Sequence, residues 1–194
     1  MKNSLWLLLA LLLATSGCNR KPKLIDPASK EAVKTQVNIL RDTVQARWQE
    51  MVASDDAKLQ NTQQLLTILE TQPDANREQV NYIRRANTRL KILRYDQQNM
   101  AESARIDAYD VAQDSVLRMV YGMALPADKE PPTDIKTLTT QIQDANAEVV
   151  VFRIRYDQAA TRFNNYLQVH GAELQQLGGQ YSKLKPLPLF TLQN

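Results

Sequence analysis

Arginine and aromatic side chains are concentrated between residues 153 and 162, where they could bind an anion or a partner protein. Arg155 and Arg162 are seven residues apart and share one face of a helix, whereas Arg153 lies on another face. Tyr156 adds an aromatic ring to this candidate interaction group. The same pattern is typical of surface arginines paired with carboxylates, each pair contributing less than about 1 kcal/mol. Both interpretations stay open, because the sequence does not show which charged side chains lie close together in the fold.

Residue types that carry catalysis or bind metals are sparse. His170 is the only histidine, and the sequence around it lacks the ligand spacing of a metal site, so we expect it to cap or pack a helix end. Asp55 and Asp56 fall on a predicted helix surface, where solvated carboxylates are expected. Glycine turns around a serine and phosphate-binding glycine loops are missing, since Gly178-Gly179 stands alone. We predict neither an enzyme nor a protein with a metal or other cofactor.

Long helices must position these residues. Only 5 of the 194 residues are glycine and 43% are apolar, which favours an all-α fold. From Ile135 onward, apolar residues recur at alternating spacings of three and four, the heptad pattern of helices packed lengthwise. The members of this seam are Ile135, Leu138, Ile142, Ala145, Val149, Phe152, Tyr156, Ala159, Phe163 and Tyr166.

Prolines and glycines divide the rest of the chain. We predict an elongated antiparallel bundle with three long helices, at about 29–71, 75–121 and 134–170. A short fourth segment follows, and spaced prolines make residues 178–194 an extended tail.

Two short stretches have alternative interpretations. Leu187, Leu189 and Phe190 in the tail are expected to pack back along the bundle, with docking to a partner as the alternative. Residues 54–56 interrupt the apolar face of the first helix. We expect this stretch on an exposed face, the alternatives being a kink or a charged patch beside a partner.

Charge excludes nucleic acid as a partner. The formal net charge of +3 comes from 24 basic and 21 acidic residues. They are spread along the chain, without the basic stripe and stacking aromatics that nucleic-acid binding needs.

Residues 1–17 have the pattern of an export signal, with a basic residue followed by an apolar run. That run is shorter than the roughly 20 residues that span a bilayer. Its end, Thr15-Ser16-Gly17-Cys18, resembles the lipobox of bacterial lipoproteins, which implies that the cysteine becomes the lipid-modified first residue. Lipidation of Cys18 also accounts for a single cysteine in an exported protein. An uncleaved signal anchor is the alternative.

Behind the anchor, residues 18–28 are predicted to be a lipid-proximal tether, and residues 29–194 form the helical domain. The protein is therefore expected in the bacterial cell envelope, on the periplasmic face or at the outer membrane.

Two segments resemble the LemA family of bacterial envelope proteins. The first, residues 40–48, has a Leu-Arg pair followed by Val44 and Trp48. The second begins at residue 146 and includes Arg153, Tyr156 and Asn164, with Asp157 in place of a family asparagine and Phe163 in place of a family tyrosine. The chain departs from the family at residues 56–66, which lack the family's arginines and proline. The resemblance implies an antiparallel helical bundle held at the membrane, without established catalytic activity, that assists other envelope proteins.

Together these features predict a non-catalytic scaffold or adaptor for envelope proteins, whose identity the sequence does not give. A chaperone-like holder of unfolded clients is one alternative, indicated by a rod with mixed charge. A small-ligand-binding bundle, indicated only by His170 and the arginines, is the other.

Substitution of the cysteine tests the anchor. Cys18→Ser removes the only side chain that can carry the lipid, so the variant is expected in the soluble fraction after cell lysis. Stable anchoring needs the apolar area of more than one acyl chain, which a lipoprotein cysteine supplies. Continued sedimentation of the variant with membranes would favour the uncleaved signal anchor instead.

Overall fold

The structure is a computed structural model that describes residues 29–128 and 130–190. Of these residues 78% are helical and none forms a β-strand, which confirms the all-α prediction. The predicted signal peptide, Cys18 and the tether lie outside the described residues. Within the described ranges, no helix combines the length and the apolar character needed to cross a membrane.

The described part of the chain contains six α-helices and one short 3-10 helix. In chain order they are α1 Lys30–Glu70, α2 Arg77–Leu93, α3 Ser103–Ala124, α4 Thr133–Ala147, α5 Val149–Val169, α6 Gly171–Leu177 and the 3-10 helix Tyr181–Lys183.

Helix α1 is the central element of the fold. Its 41 residues extend over roughly 60 Å at 1.5 Å per residue. Its N-terminus is capped by Ser29, whose side chain accepts a hydrogen bond from the backbone N–H of Ala32 at 3.2 Å. Fully buried Val37, Leu65 and Leu66 belong to the apolar face that packs against the other helices.

The region predicted as one helix over 75–121 consists of two helices, α2 and α3, separated by residues 94–102. Side chains cause this break. Asp96 Oδ1 accepts the backbone N–H groups of Gln98 and Asn99, and Asn99 Oδ1 accepts the N–H of Asp96, each at 2.8 Å. These bonds offer the backbone an alternative to the helix, so the chain turns without glycine or proline.

The turn folds α2 and α3 into a hairpin against the C-terminal half of α1. Helix α2 runs antiparallel to α1, because Arg84 contacts Glu70 at 2.7 Å while Arg94, just after the end of α2, contacts Asp56 at 2.8 Å. Helix α3 then returns toward the end of α1. The hairpin therefore leaves the N-terminal half of α1 uncovered.

Helices α4 and α5 together cover the region predicted as one helix over 134–170. They are separated at Glu148, whose backbone N–H still bonds Asp144 O at 3.0 Å, so the chain continues in the same direction. Both helices pack along α1. Of the predicted seam, Ile135, Ile142, Tyr156, Ala159 and Phe163 are buried.

The N-terminal half of α1 is covered by α5, α6 and the C-terminal segment, residues 184–190. Gly178 and Gly179 turn the chain with φ of 66° and 56°, a conformation that glycine adopts without steric cost. The C-terminal segment then runs antiparallel to α5, since Leu187 bonds Asn164 and the later Phe190 bonds Asp157.

Candidate functional site

A buried polar network joins α1, α2 and α3 at Asp55, whose side chain is only 12% exposed. Asp55 Oδ2 accepts a hydrogen bond from the Tyr109 hydroxyl at 2.5 Å and forms an ion pair with Arg94 Nη1 at 3.1 Å. Its Oδ1 accepts from Gln113 Nε2 at 2.9 Å. Together with Lys58 we call these residues the Asp55 network. The expectation of an exposed face at residues 54–56 is therefore wrong for Asp55, because α2 and α3 cover it.

Lys58 extends this network to α4. Its ammonium group, on a residue that is 1% exposed, donates to Gln113 Oε1 at 2.6 Å and to Asn146 Oδ1 at 3.4 Å. Asp55 Oδ1 lies 3.6 Å away. Burial lowers the pKa of Lys58, and the charge of Asp55 offsets this shift only in part. Keeping this lysine charged in the core therefore costs free energy.

A second polar cluster centres on Arg153 of α5. Arg153 Nη2 donates to both carboxylate oxygens of Asp110, at 2.7 and 2.9 Å, and to the Tyr95 hydroxyl at 3.2 Å. Burial lowers the pKa of Arg153, but its bonds to Asp110 and Tyr95 outweigh burial and raise that pKa overall. The ion pair therefore ties α5 to α3 with a permanent charge.

Three aromatic side chains surround Phe190 of the C-terminal segment. The Phe190 ring lies nearly parallel to Trp48, with centroids 6.5 Å apart, and meets Tyr95 at 5.8 Å and Tyr156 at 5.6 Å edge to face. The Arg153 guanidinium carbon lies 5.2 Å from the Phe190 ring centre. Such geometries are favourable beyond the burial of apolar area. We call Trp48, Tyr95 and Tyr156 the aromatic box.

A small cleft lies between the Asp55 network and the aromatic box. Its walls include the charged side chains of Asp55, Arg94, Asp110 and Arg153, together with Phe152. It holds about 30 Å³ of space for the centres of water molecules. One water needs roughly 10–15 Å³ by this measure, so the cleft fits about two waters.

The four residues of the predicted interaction group do not converge on one site. Arg153 and Tyr156 meet beside Phe190, where Tyr156 is fully buried. Arg155 and Arg162 are exposed, and the Arg155 guanidinium lies 5.8 Å from the ring centre of Phe152. Only half of the predicted group therefore contributes to the site.

Sequence reasoning missed the Asp55 network, although a signal for it exists. Polar residues continue the heptad of α1, because Asp55, Lys58 and Thr62 follow Met51 at alternating spacings of four and three. Residues at such positions face the core whatever their polarity. By contrast, the partner of Arg153, Asp110, lies 43 residues away and has no local signal.

His170 has surroundings that suit packing at a helix end. It is the C-terminal cap residue of α5, and its ring centre lies 4.3 Å from that of Tyr166. Nδ1 lies 3.8 Å from Glu173 Oε1. Among residues 29–128 and 130–190, no cluster of three or more histidine, cysteine or acidic side chains could hold a metal ion.

Comparison with protein-family models, with curated proteins and with solved structures gives no match to this chain. Membership of the LemA family stays a prediction from the two short segments. Residues from both segments meet in the fold: Trp48 contacts Tyr156 with ring centres 5.5 Å apart, and Asp157 and Asn164 bind the C-terminal segment.

Two adjacent aspartates allow a matched test of the Asp55 network. Asp55→Asn removes the anion beside buried Lys58 and leaves Arg94 paired with Asp56 alone, so we expect the free energy of unfolding to fall by about 3–5 kcal/mol. Asp56→Asn removes a carboxylate that is 44% exposed, and a loss below about 1 kcal/mol is expected. Urea unfolding at neutral pH measures both, and equal losses would contradict a buried network centred on Asp55.

The pH dependence of stability tests the burial of Lys58. Since burial lowers its pKa, the unfolded chain binds more protons than the folded one between the lowered value and the ordinary value of 10.5. Stability contributed by this group therefore rises with pH through that window. We expect the free energy of unfolding of wild type to increase relative to Lys58→Met as pH rises from about 7 to 10.

Urea titrations at several pH values measure this difference, and a constant difference would contradict the lowered pKa. The series ends near pH 10, because burial raises the pKa of Tyr109. Above that pH the unfolded tyrosine ionises first, which lowers the stability of both proteins.

Proposed function

We propose that this protein is a non-catalytic envelope protein, anchored by lipid at Cys18, that acts as a scaffold or adaptor for other envelope proteins. The observation that carries the proposal is the mutual pairing of charges around the cleft. Asp55 pairs with Arg94 at 3.1 Å and Asp110 with Arg153 at 2.7 Å. These groups stabilise the bundle, and a cleft for about two waters is too small for an organic ligand.

The outer surface of α5 offers features that suit a protein partner. Val150 and Ile154 are 62% and 48% exposed and lie four residues apart, on one face of the helix. Val151, which is 45% exposed, and the exposed Arg155 lie beside them. Apolar side chains together with arginine are typical of protein interfaces.

The predicted tether supports an adaptor role by its reach. Eleven residues, 18–28, span at most about 40 Å when extended, at roughly 3.3–3.6 Å per residue. Helix α1 adds roughly 60 Å through its 41 residues. A protein with these dimensions, attached at one end, can contact partners at different distances from the membrane.

Site-specific photocrosslinking in cells tests this function. A photoreactive amino acid replaces Ile154 on α5 or, as the control, Ile92 on α2, which is 84% exposed. Crosslinked proteins are then captured and identified by mass spectrometry. We expect a small, recurring set of envelope proteins from position 154 and none of that set from position 92.

A diffuse set of unfolded clients from both positions would contradict the adaptor and favour the chaperone-like alternative. That alternative is supported by large apolar side chains exposed elsewhere, including Val111 on α3 and Val169 at the end of α5, which are 70% and 73% exposed. Capture of nothing from either position would contradict both roles.

A further inference from the structure

The C-terminal segment, residues 184–190, lies in a groove between α1 and α5 and is held there by side chains of α5. Asn164 binds the main chain of Leu187 twice: Nδ2 donates to the carbonyl and Oδ1 accepts the N–H, both at 2.8 Å. Asp157 Oδ1 accepts the N–H of Phe190 at 2.9 Å. The Tyr156 hydroxyl donates to Pro188 O at 3.2 Å.

All four hydrogen bonds reach main-chain atoms of the segment. Every peptide presents these carbonyl groups, and every residue except proline presents the N–H groups, so the groove can bind an extended segment from any chain. The spacing of the donors and acceptors along α5 fixes the direction of the bound segment, antiparallel to the helix.

Side-chain selectivity comes mainly from Phe190. Its ring occupies the aromatic box, and the Arg153 guanidinium lies 5.2 Å from the ring centre. Leu187 and Leu189 are half-buried against the core, and the prolines before each of them favour an extended backbone. The groove therefore selects an extended segment that contains a leucine and, three residues later, an aromatic residue.

The segment follows a glycine turn and the 3-10 helix, whose Tyr181 packs against the core. At the turn itself, a side chain built at Gly178 or Gly179 would meet no atom within 4 Å. Each residue of the segment is either half-buried or exposed, whereas Val44, Tyr156 and Phe163 beneath it are buried in the core. The groove and its occupant are thus two separable parts of the fold.

We propose that this groove is a peptide-binding site that the C-terminal segment occupies in cis, and that an extended Leu-Pro-Leu-Phe-like segment of a partner protein replaces it. The inference rests on the proposed adaptor function and gives that function a site and a partner chemistry. The tethered segment competes at an effective concentration in the millimolar range, which suppresses binding of a free peptide. Weakening the cis contacts therefore exposes the site.

Fluorescence anisotropy with a labelled peptide tests the proposal. The probe has the sequence of residues 183–190, and the proteins are the full chain as wild type, Phe190→Ala and Leu187→Pro, in detergent. Phe190→Ala empties the aromatic box, whereas Leu187→Pro removes the N–H that Asn164 accepts and keeps the ring. We expect either variant to bind the peptide at least about 10-fold more tightly than wild type.

Matched controls establish that binding uses this groove. Adding Asn164→Ala to Phe190→Ala, or replacing the phenylalanine of the peptide with alanine, is expected to weaken binding at least about 10-fold. Failure of both variants to bind, or binding that is insensitive to these two changes, would overturn the proposal. A wild-type dimer in light scattering that Phe190→Ala abolishes would also overturn it, because a second copy would then be the occupant.

The groove and the adaptor function can fail separately. When Asn164→Ala is added to Phe190→Ala in the protein used for photocrosslinking, the proposal predicts loss of the captured envelope proteins. If the same set is still captured, the groove is not their site and the adaptor function stands.

Discussion

The buried carboxylate of Asp55 constrains the arrangement of this bundle more than any other group described. A carboxylate at a core-facing position is costly unless charged and hydrogen-bonding partners surround it. Arg94 from the end of α2 and Tyr109 and Gln113 from α3 supply those partners. Sliding the hairpin by one turn along α1 would separate these groups, so the pairing specifies one register.

The position of that hairpin determines how the rest of the chain packs against α1. The turn at residues 94–102 places Tyr95 beside Trp48, and α2 and α3 extend from there toward the end of α1. Beyond the turn, an extended segment takes the place of a helix against α1 and α5. Phe190 lies where the part of the fold covered by the hairpin meets the part covered by the C-terminal segment. It therefore connects the Asp55 network to the groove.

Heptad spacing predicts the all-α class and most buried positions, because apolar periodicity is a local property of the sequence. The break between α2 and α3 depends on reciprocal bonds between Asp96 and Asn99, which no glycine or proline announces. The burial of Asp55 and Lys58 was not predicted, because these residues are polar although they occupy core-facing heptad positions. The pairing of Arg153 with Asp110 depends on tertiary packing. Sequence reasoning could therefore name Arg153 as a candidate but not its partner Asp110.

The central claim is that a stable helical frame holds a separable C-terminal segment, and amide hydrogen exchange measured by NMR tests it most directly. The N–H groups of Leu187 and Phe190 bind Asn164 and Asp157, so both amides should exchange more slowly than in a free peptide. They should still exchange much faster than core amides of α1 such as that of Leu65. Equal protection at all three positions would show that the segment opens only with global unfolding, and would contradict this account.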